Sequence, residues 1–502
     1  MNQNDYSFAA GWELPRQPQP VFQTGRRELI FGLLVLLSAL CLCNFTVYGG
    51  LNLGFALGTW ACIVCAFCYL LAVGCKPSGY SCSLLGLSLV IAAGFARSDD
   101  GFVKGVMVCF LIVSVNLGFC LMAGKNLYRA ASVRSLLDVP GTVFGMGLGK
   151  LPAALRGLKQ AFRESGSVGQ KGGAFLLGLC LCIPVLGIVI PLLISADAAF
   201  DGLMSLLPDF KLQELLITVC LGVPLWIFLY SRCVALGQTQ RPAPTEKPGK
   251  GIHGITVNTV LVAICVVYVA YLLSQLAYLF GGFAGILPEG YTVAQYARRG
   301  FFEMALLCGI NLTVMVLSLG LVRRQSSAPL MTKLLCLFLG LVTVFLVATA
   351  SAKMFLYIGT YGLTRLRVLT QIIMLFMAVT TVILSVWLFV PKLPYMKAVI
   401  LAAMLIGAAT LWADVNTQVA RYNVDAYLSG QLETVDFSHL LGLGDSAIPQ
   451  LARLRDQAPD EQIRKRAGKL LNDMEASPAE DFREWNYVNQ NANRYLPGKD
   501  EE

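Results

Sequence analysis

Charge is scarce in this chain. Asp, Glu, Lys and Arg make up 14% of its 502 residues, against about 25% in a soluble globular protein. That shortage excludes a string of ordinary soluble domains, although the length alone would accommodate roughly three. Histidine is scarcer still. Only His253 and His439 occur, with no His-Glu-x-x-His pattern, so zinc and triad chemistries of standard kinds are disfavoured. A phosphate-binding loop is missing too: the nearest sequence, Gly145 to Lys150, continues with Leu151 where Ser or Thr is needed. Cysteine is absent from the polar C-terminal region. All sixteen lie between Cys41 and Cys336, almost all inside apolar blocks, which argues against a disulfide framework. The first 25 residues are polar and rich in Pro and Gln, with no apolar run behind a basic start and hence no secretory signal pattern. These absences leave no expected catalytic residue, metal ligand or cofactor, and no nucleic-acid partner.

What is present is apolar sequence in long blocks. The chain is 56% hydrophobic, and its blocks run to about 16–25 residues, close to the 20 or so that cross a bilayer as a helix. Barrel strands would show short alternating segments instead. The expected fold is therefore all-α, a polytopic transmembrane helix bundle with the lipid bilayer as its first partner. Eleven spans are expected, at 28–47, 51–73, 79–96, 102–123, 173–195, 213–236, 255–279, 300–321, 331–352, 369–390 and 397–413. The third and the last are short. Before the bundle lies a polar tail, 1–27; after it, residues 414–502 form a polar extension.

Basic residues orient this arrangement. The 124–172 loop carries eight Lys and Arg against Asp138 and Glu164, and Arg241, Lys247, Lys250, Arg323, Arg324 and Lys392 mark three further loops on the same side. By the positive-inside rule these loops and the N-terminus are cytoplasmic, and an odd number of spans puts the extension outside. Within the long loop, Leu151, Leu155, Leu158 and Phe162 share one helical face, while Lys150, Arg156, Lys159 and Arg163 fall elsewhere. That pattern reads as a basic amphipathic helix on the anionic inner leaflet, or as a docking site for a protein partner.

Two small-residue patterns occur in the second span. Gly50, Gly54 and Gly58 recur every fourth residue, as in helices that approach closely within a chain or between copies. Cys62, Cys65 and Cys68 recur every third, which suits helix packing better than a redox site. In the extension, Asp445 to Leu454, with Pro449 in an opening turn, and residues 460–474 read as amphipathic helices, with the last residues disordered.

The strongest positive signal is a set of cations expected on the outer face, against the charge bias. Thr292 to Gln295 reads as a capping box that starts a helix carrying Arg298 and Arg299. Glu303 follows one turn deeper, Lys353 ends the ninth span, and Arg365 and Arg367 follow in the next outer segment with Tyr361. Glu289, Glu303, Asp414 and Asp425 are the available carboxylates. Either these groups form a structural ion-pair network, or they bind an anion such as a lipid head group. Polar residues within spans, Asn116, Asn258, Gln275, Tyr278 and Asn311, read as interhelical hydrogen bonds. Pro184, Pro191 and Pro224 mark kinks, with the fifth span the best candidate for a broken helix.

Three segments, Tyr296-Ala-Arg-Arg-Gly-Phe-Phe302, Tyr361-Gly-Leu-Thr-Arg-Leu-Arg367 and Asn423-Val-Asp425, together resemble an uncharacterised family of bacterial multi-spanning membrane proteins, domain of unknown function 4173, related to group 4153. The resemblance covers roughly residues 250–445. It implies a membrane fold and topology and no activity. Three functional classes stay open: an envelope sensing, regulatory or scaffold protein that is not an enzyme; a transporter or channel for a small, anionic solute; and a membrane enzyme acting on lipid-linked phosphates. The first is preferred because no intramembrane carboxylate pair stands out.

Overall fold

The computed structural model describes residues 26–125, isolated positions between 140 and 196, and residues 212–237, 253–283, 301–321, 329–390, 392–476 and 478–496. Among the described residues there are helices and no strand. Numbered in chain order, the bundle helices are α1 Arg26–Gly49, α2 Leu53–Ala72, α3 Gly79–Gly94, α4 Gly101–Ala123, α5 Leu212–Gly237, α6 Gly254–Phe283, α7 Phe301–Leu321, α8 Pro329–Tyr361, α9 Arg365–Phe389 and α10 Tyr395–Ala413. Five further helices follow: α11 Val415–Leu428, α12 Phe437–Leu441, α13 Ile448–Gln457, α14 Glu461–Asn472 and α15 Tyr487–Ala492.

Eight of the described helices are long and apolar enough to cross a membrane, and two shorter apolar helices, Gly79–Gly94 and Glu303–Leu319, accompany them. The chain is thus a multi-pass membrane protein of helical class. The expected fifth span, with its prolines, and the amphipathic helix of the 124–172 loop fall almost wholly outside the described residues. Several boundaries also differ from expectation. The ninth span was expected to stop at 352, yet α8 continues to Tyr361. At 1.5 Å per residue its 33 residues measure about 50 Å. Apolar and aromatic residues from Met354 to Tyr361 continue the helix past the membrane-length estimate. Lys353 therefore sits inside a helix, and the break narrows to residues 362–364.

Local signals set the other ends. Ser78 caps α3 through a reciprocal box with Ser81. Asp100 caps α4, which closes at Gly124 with φ of 65°. Thr364 caps α9. Helices α1, α2 and α5 pack together, as do α3, α4 and α10, and α6 to α9. The Gly54 and Gly58 stripe serves packing inside the chain: a Cβ on Gly58 would lie 2.8 Å from Leu42 Cα on α1.

Helices α11 to α14 share a hydrophobic core with the bundle. Val419, Val424, Leu440, Leu451 and Leu471 belong to one buried cluster with Leu84, Met107, Met404 and Leu411 of α3, α4 and α10 and with Phe95 just after α3. The C-terminal helices therefore continue the packing of the bundle. The segment from 478 to 496 is folded against the same face; the last residues of the chain, expected to be disordered, lie outside the described residues.

Candidate functional site at the bundle end

One end of the bundle gathers the turn after α1, the 95–100 turn, the start of α5, the 362–364 break and the C-terminal helices. At the break, Gly362 adopts φ of 73°. Leu363 is held from both sides by one amide: its N–H donates to Asn423 Oδ1 at 2.7 Å, and Asn423 Nδ2 donates to its carbonyl at 2.8 Å. A Cβ on Gly362 would lie 2.6 Å from Asn423 Oδ1. Backbone conformation and available space thus both require glycine there. Arg367 folds back on the break, donating through Nη1 to the carbonyls of Tyr361, at 3.2 Å, and Gly362. Its guanidinium stacks 4.0 Å over the Tyr357 ring. Arg365 turns the other way, with Nη1 3.9 Å from Asp100 Oδ1.

Asp414 is the centre of this end. It joins α10 to α11, is 1% exposed, and has a φ of 48° unusual for a residue with a side chain. Its Oδ1 accepts from Ser98 Oγ and from the Asp99 N–H, both at 3.0 Å. Its Oδ2 accepts from the Thr417 N–H at 3.1 Å, Thr417 Oγ1 at 2.5 Å and Ser446 Oγ at 2.9 Å. One carboxylate thereby ties the α3–α4 turn, the α11 cap and the turn before α13. Such saturation offsets the desolvation of a buried charge and holds the strained backbone.

Other carboxylates crowd the same turn. Asp100 is buried; its Oδ1 accepts from the N–H groups of Phe102 and Val103 at 3.0 and 3.1 Å, and its Oδ2 has no hydrogen-bond partner among the described residues. Asp445 accepts from Asn489 Nδ2 at 2.8 Å. Burial first, then the charge of Asp445, push the Asp99 carboxyl up to about 6, with Lys104 opposing and Asp414 and Asp100 adding. Lys104 itself donates to Asn52 Oδ1 at 2.8 Å.

A second anchor lies in the 481–488 segment. Arg483 is 9% exposed and donates to Glu214 and to Asn44 Oδ1, the latter at 2.7 Å, while its Nη2 lies 2.6 Å from Asp481 Oδ2. The first amides of α2 meet the same segment: the Leu53 and Gly54 N–H groups donate to the carbonyls of Trp485 and Arg483 at 3.2 and 3.1 Å. A Cβ on Gly49 would come within 2.5 Å of the Arg483 carbonyl oxygen, so a small residue there admits the segment. Asn486 Nδ2 donates to the Ser98 carbonyl at 2.8 Å, and the Tyr487 N–H to that of Ala96 at 2.8 Å.

The residues singled out in the sequence divide as follows. Arg298 and Arg299 lie outside the described residues. Glu303 is exposed at the start of α7, Lys353 is half-buried within α8, and Tyr361 is exposed with its ring 5.1 Å from that of Tyr357. Arg365 and Arg367 share a turn but take separate partners. Asp425 pairs with Arg453 of α13 at 2.8 Å and with Arg421 of its own helix at 3.6 Å. In the spans, Asn311 accepts from Tyr268 Oη at 2.8 Å and donates to Thr343 Oγ1 at 3.1 Å, and Asn258 accepts from Thr332 Oγ1 at 2.7 Å. Asn116 instead bonds the Ile112 carbonyl of its own helix. The side chains of Gln275 and Tyr278 lie outside the described residues. Sequence reasoning missed Arg483 and the central position of Asp414. Among the described residues no three His, Cys, Asp or Glu side chains are grouped to hold a metal ion.

The family model described as a domain of unknown function, DUF4153, matches residues 82–454, and the chain belongs to that family. The match begins far before the 250–445 stretch that carried the resemblance, and it falls on the related group; the 4173 name is not shown. No match is found among curated proteins or among solved structures.

Proposed function

We propose that this member of the DUF4153 family is a non-enzymatic envelope protein, a sensing, regulatory or scaffold component, with its C-terminal helices as an extracytoplasmic receiver. The observation that carries the reading is the Asp414 junction. A receiver must be mechanically continuous with the spans it informs, and here one buried carboxylate joins the last span, the α3–α4 turn and two C-terminal elements. The described outer-face arginines support it as well. Arg367 is taken up by backbone carbonyls and an aromatic ring, and Arg365 faces a carboxylate, which favours structural roles over anion capture. Orientation follows from the basic loops, which put the 124–172 loop and any partner it docks on the cytoplasmic side.

Two measurements test this. Gln431→Cys, on an exposed turn, should react with a membrane-impermeant maleimide in intact cells; labelling only after permeabilisation would reverse the orientation. The purified chain in liposomes should give no chloride, phosphate or acetate flux above empty vesicles. A flux abolished by Arg365→Ala would replace the receiver reading with transport.

A further inference from the structure

A different part of the bundle holds a charge that the junction does not use. Helices α1, α2, α4 and α5 line a partly open cavity of about 70 Å³, several times the roughly 10–15 Å³ that admits one water. Ser38 and Cys62 line it from the midpoints of α1 and α2, and Ile63, Phe119 and Leu229 make most of the remaining wall apolar. Arg232 also lines it. That residue is 7% exposed, and its Nε and Nη2 are buried with no hydrogen-bond partner among the described residues.

The four helices cannot neutralise it. Their sequences hold two carboxylates, Glu28 and Glu214. Glu214 pairs with Arg483 at the other end, and Glu28 accepts from Tyr69 Oη at 3.3 Å. The hydroxyl of Ser38 donates to the Leu34 carbonyl, and the Cys62 thiol to that of Ser38. An arginine in the apolar part of a bundle carries a cost that persists only when a partner balances it. A planar fork of donors lining a mainly apolar cavity suits a carboxylate or phosphate head attached to an apolar body.

We infer that this cavity is a binding site for one oxyanion, a carboxylate or phosphate head held by Arg232 with its apolar portion against Ile63, Phe119 and Leu229. The site lies apart from the Asp414 junction and stands or falls separately from the receiver reading.

The test uses the full chain, purified in mild detergent and stripped of lipid, with oleate, dioleoylphosphatidylglycerol and inorganic phosphate as probes. At least one probe should raise the unfolding midpoint by about 2–4 °C at saturation. A response to oleate or the phospholipid alone identifies an amphiphile; an equal response to phosphate identifies a free oxyanion. Arg232→Met should abolish the shift. Ala66→Leu fills the cavity while keeping the charge, should also abolish it, and serves alone if the first variant does not fold. The inference is overturned if no probe shifts the natural chain, or if the shift survives in the variants that fold.

Discussion

Asp414 and Arg232 are both buried, at 1% and 7% exposure, yet the chain surrounds them in opposite ways. Five donors from three separate elements converge on the carboxylate. The guanidinium has no bonded partner at Nε or Nη2 among the described residues, and a cavity beside it. Burial of a charge therefore carries no single meaning in this protein. Where partners are supplied from within, the charge fixes the arrangement of its donors; where they are not, the charge points to something that arrives from outside.

The contrast can be broken by opposite-sign substitutions. Asp414→Ala leaves the Ser98, Thr417 and Ser446 donors and the Asp99 amide without their acceptor. It should destabilise the protein by about 3–5 kcal/mol, read as a lower unfolding midpoint and faster proteolysis between α11 and α12. Arg232→Met should do the reverse. In lipid-stripped protein it removes an uncompensated charge and should stabilise by about 2–3 kcal/mol. A loss of stability there would mean that the guanidinium is already satisfied, and the two charges would no longer differ in kind.

Acidity sharpens the Asp414 side. The raised pKa of Asp99 means that the folded junction favours its protonated form. That contribution is fully present below the ordinary carboxylate value of 3.8 and is lost as pH rises through about 6. The unfolding midpoint should therefore fall between about pH 4 and 6 and level off above that, less so in Asp99→Asn, as followed by thermal melts across that range. The smallest effect concerns the pair that was most conspicuous in the sequence. Arg365 has a side chain 45% exposed and 3.9 Å from Asp100, so Arg365→Ala should cost less than about 1 kcal/mol in the same melts.

Block length and apolar composition made the bundle legible, whereas the caps at Asp100 and Thr364 appear only in the structure. The Tyr361–Arg367 and Asn423–Asp425 segments also proved to be neighbours, joined through Leu363 and Asn423. What the sequence hid was pairing at long range. Arg483 meets Glu214 from 269 residues away and Asn44 from 439, and no periodicity reports such distances. Asp425 was counted among the carboxylates available to the outer-face cations because all were placed on one side of the membrane. Arg421, one turn away on the same helix, and Arg453 on α13 are nearer. The length of α8 was misjudged because a membrane-length rule stops counting where the bilayer ends, whereas the helix stops only at Gly362.

Hydrogen exchange at the start of α2 tests the docking of the C-terminal segment most directly. The first amides of a helix have no acceptor within it, so Leu53 and Gly54 are protected only if an outside carbonyl receives them. With Trp485 and Arg483 in place at 3.2 and 3.1 Å, both should exchange as slowly as amides in the middle of α2, and Arg483→Ala should speed them selectively. Exchange at the rate of a free helix terminus in the intact chain would contradict a C-terminal segment built into the bundle.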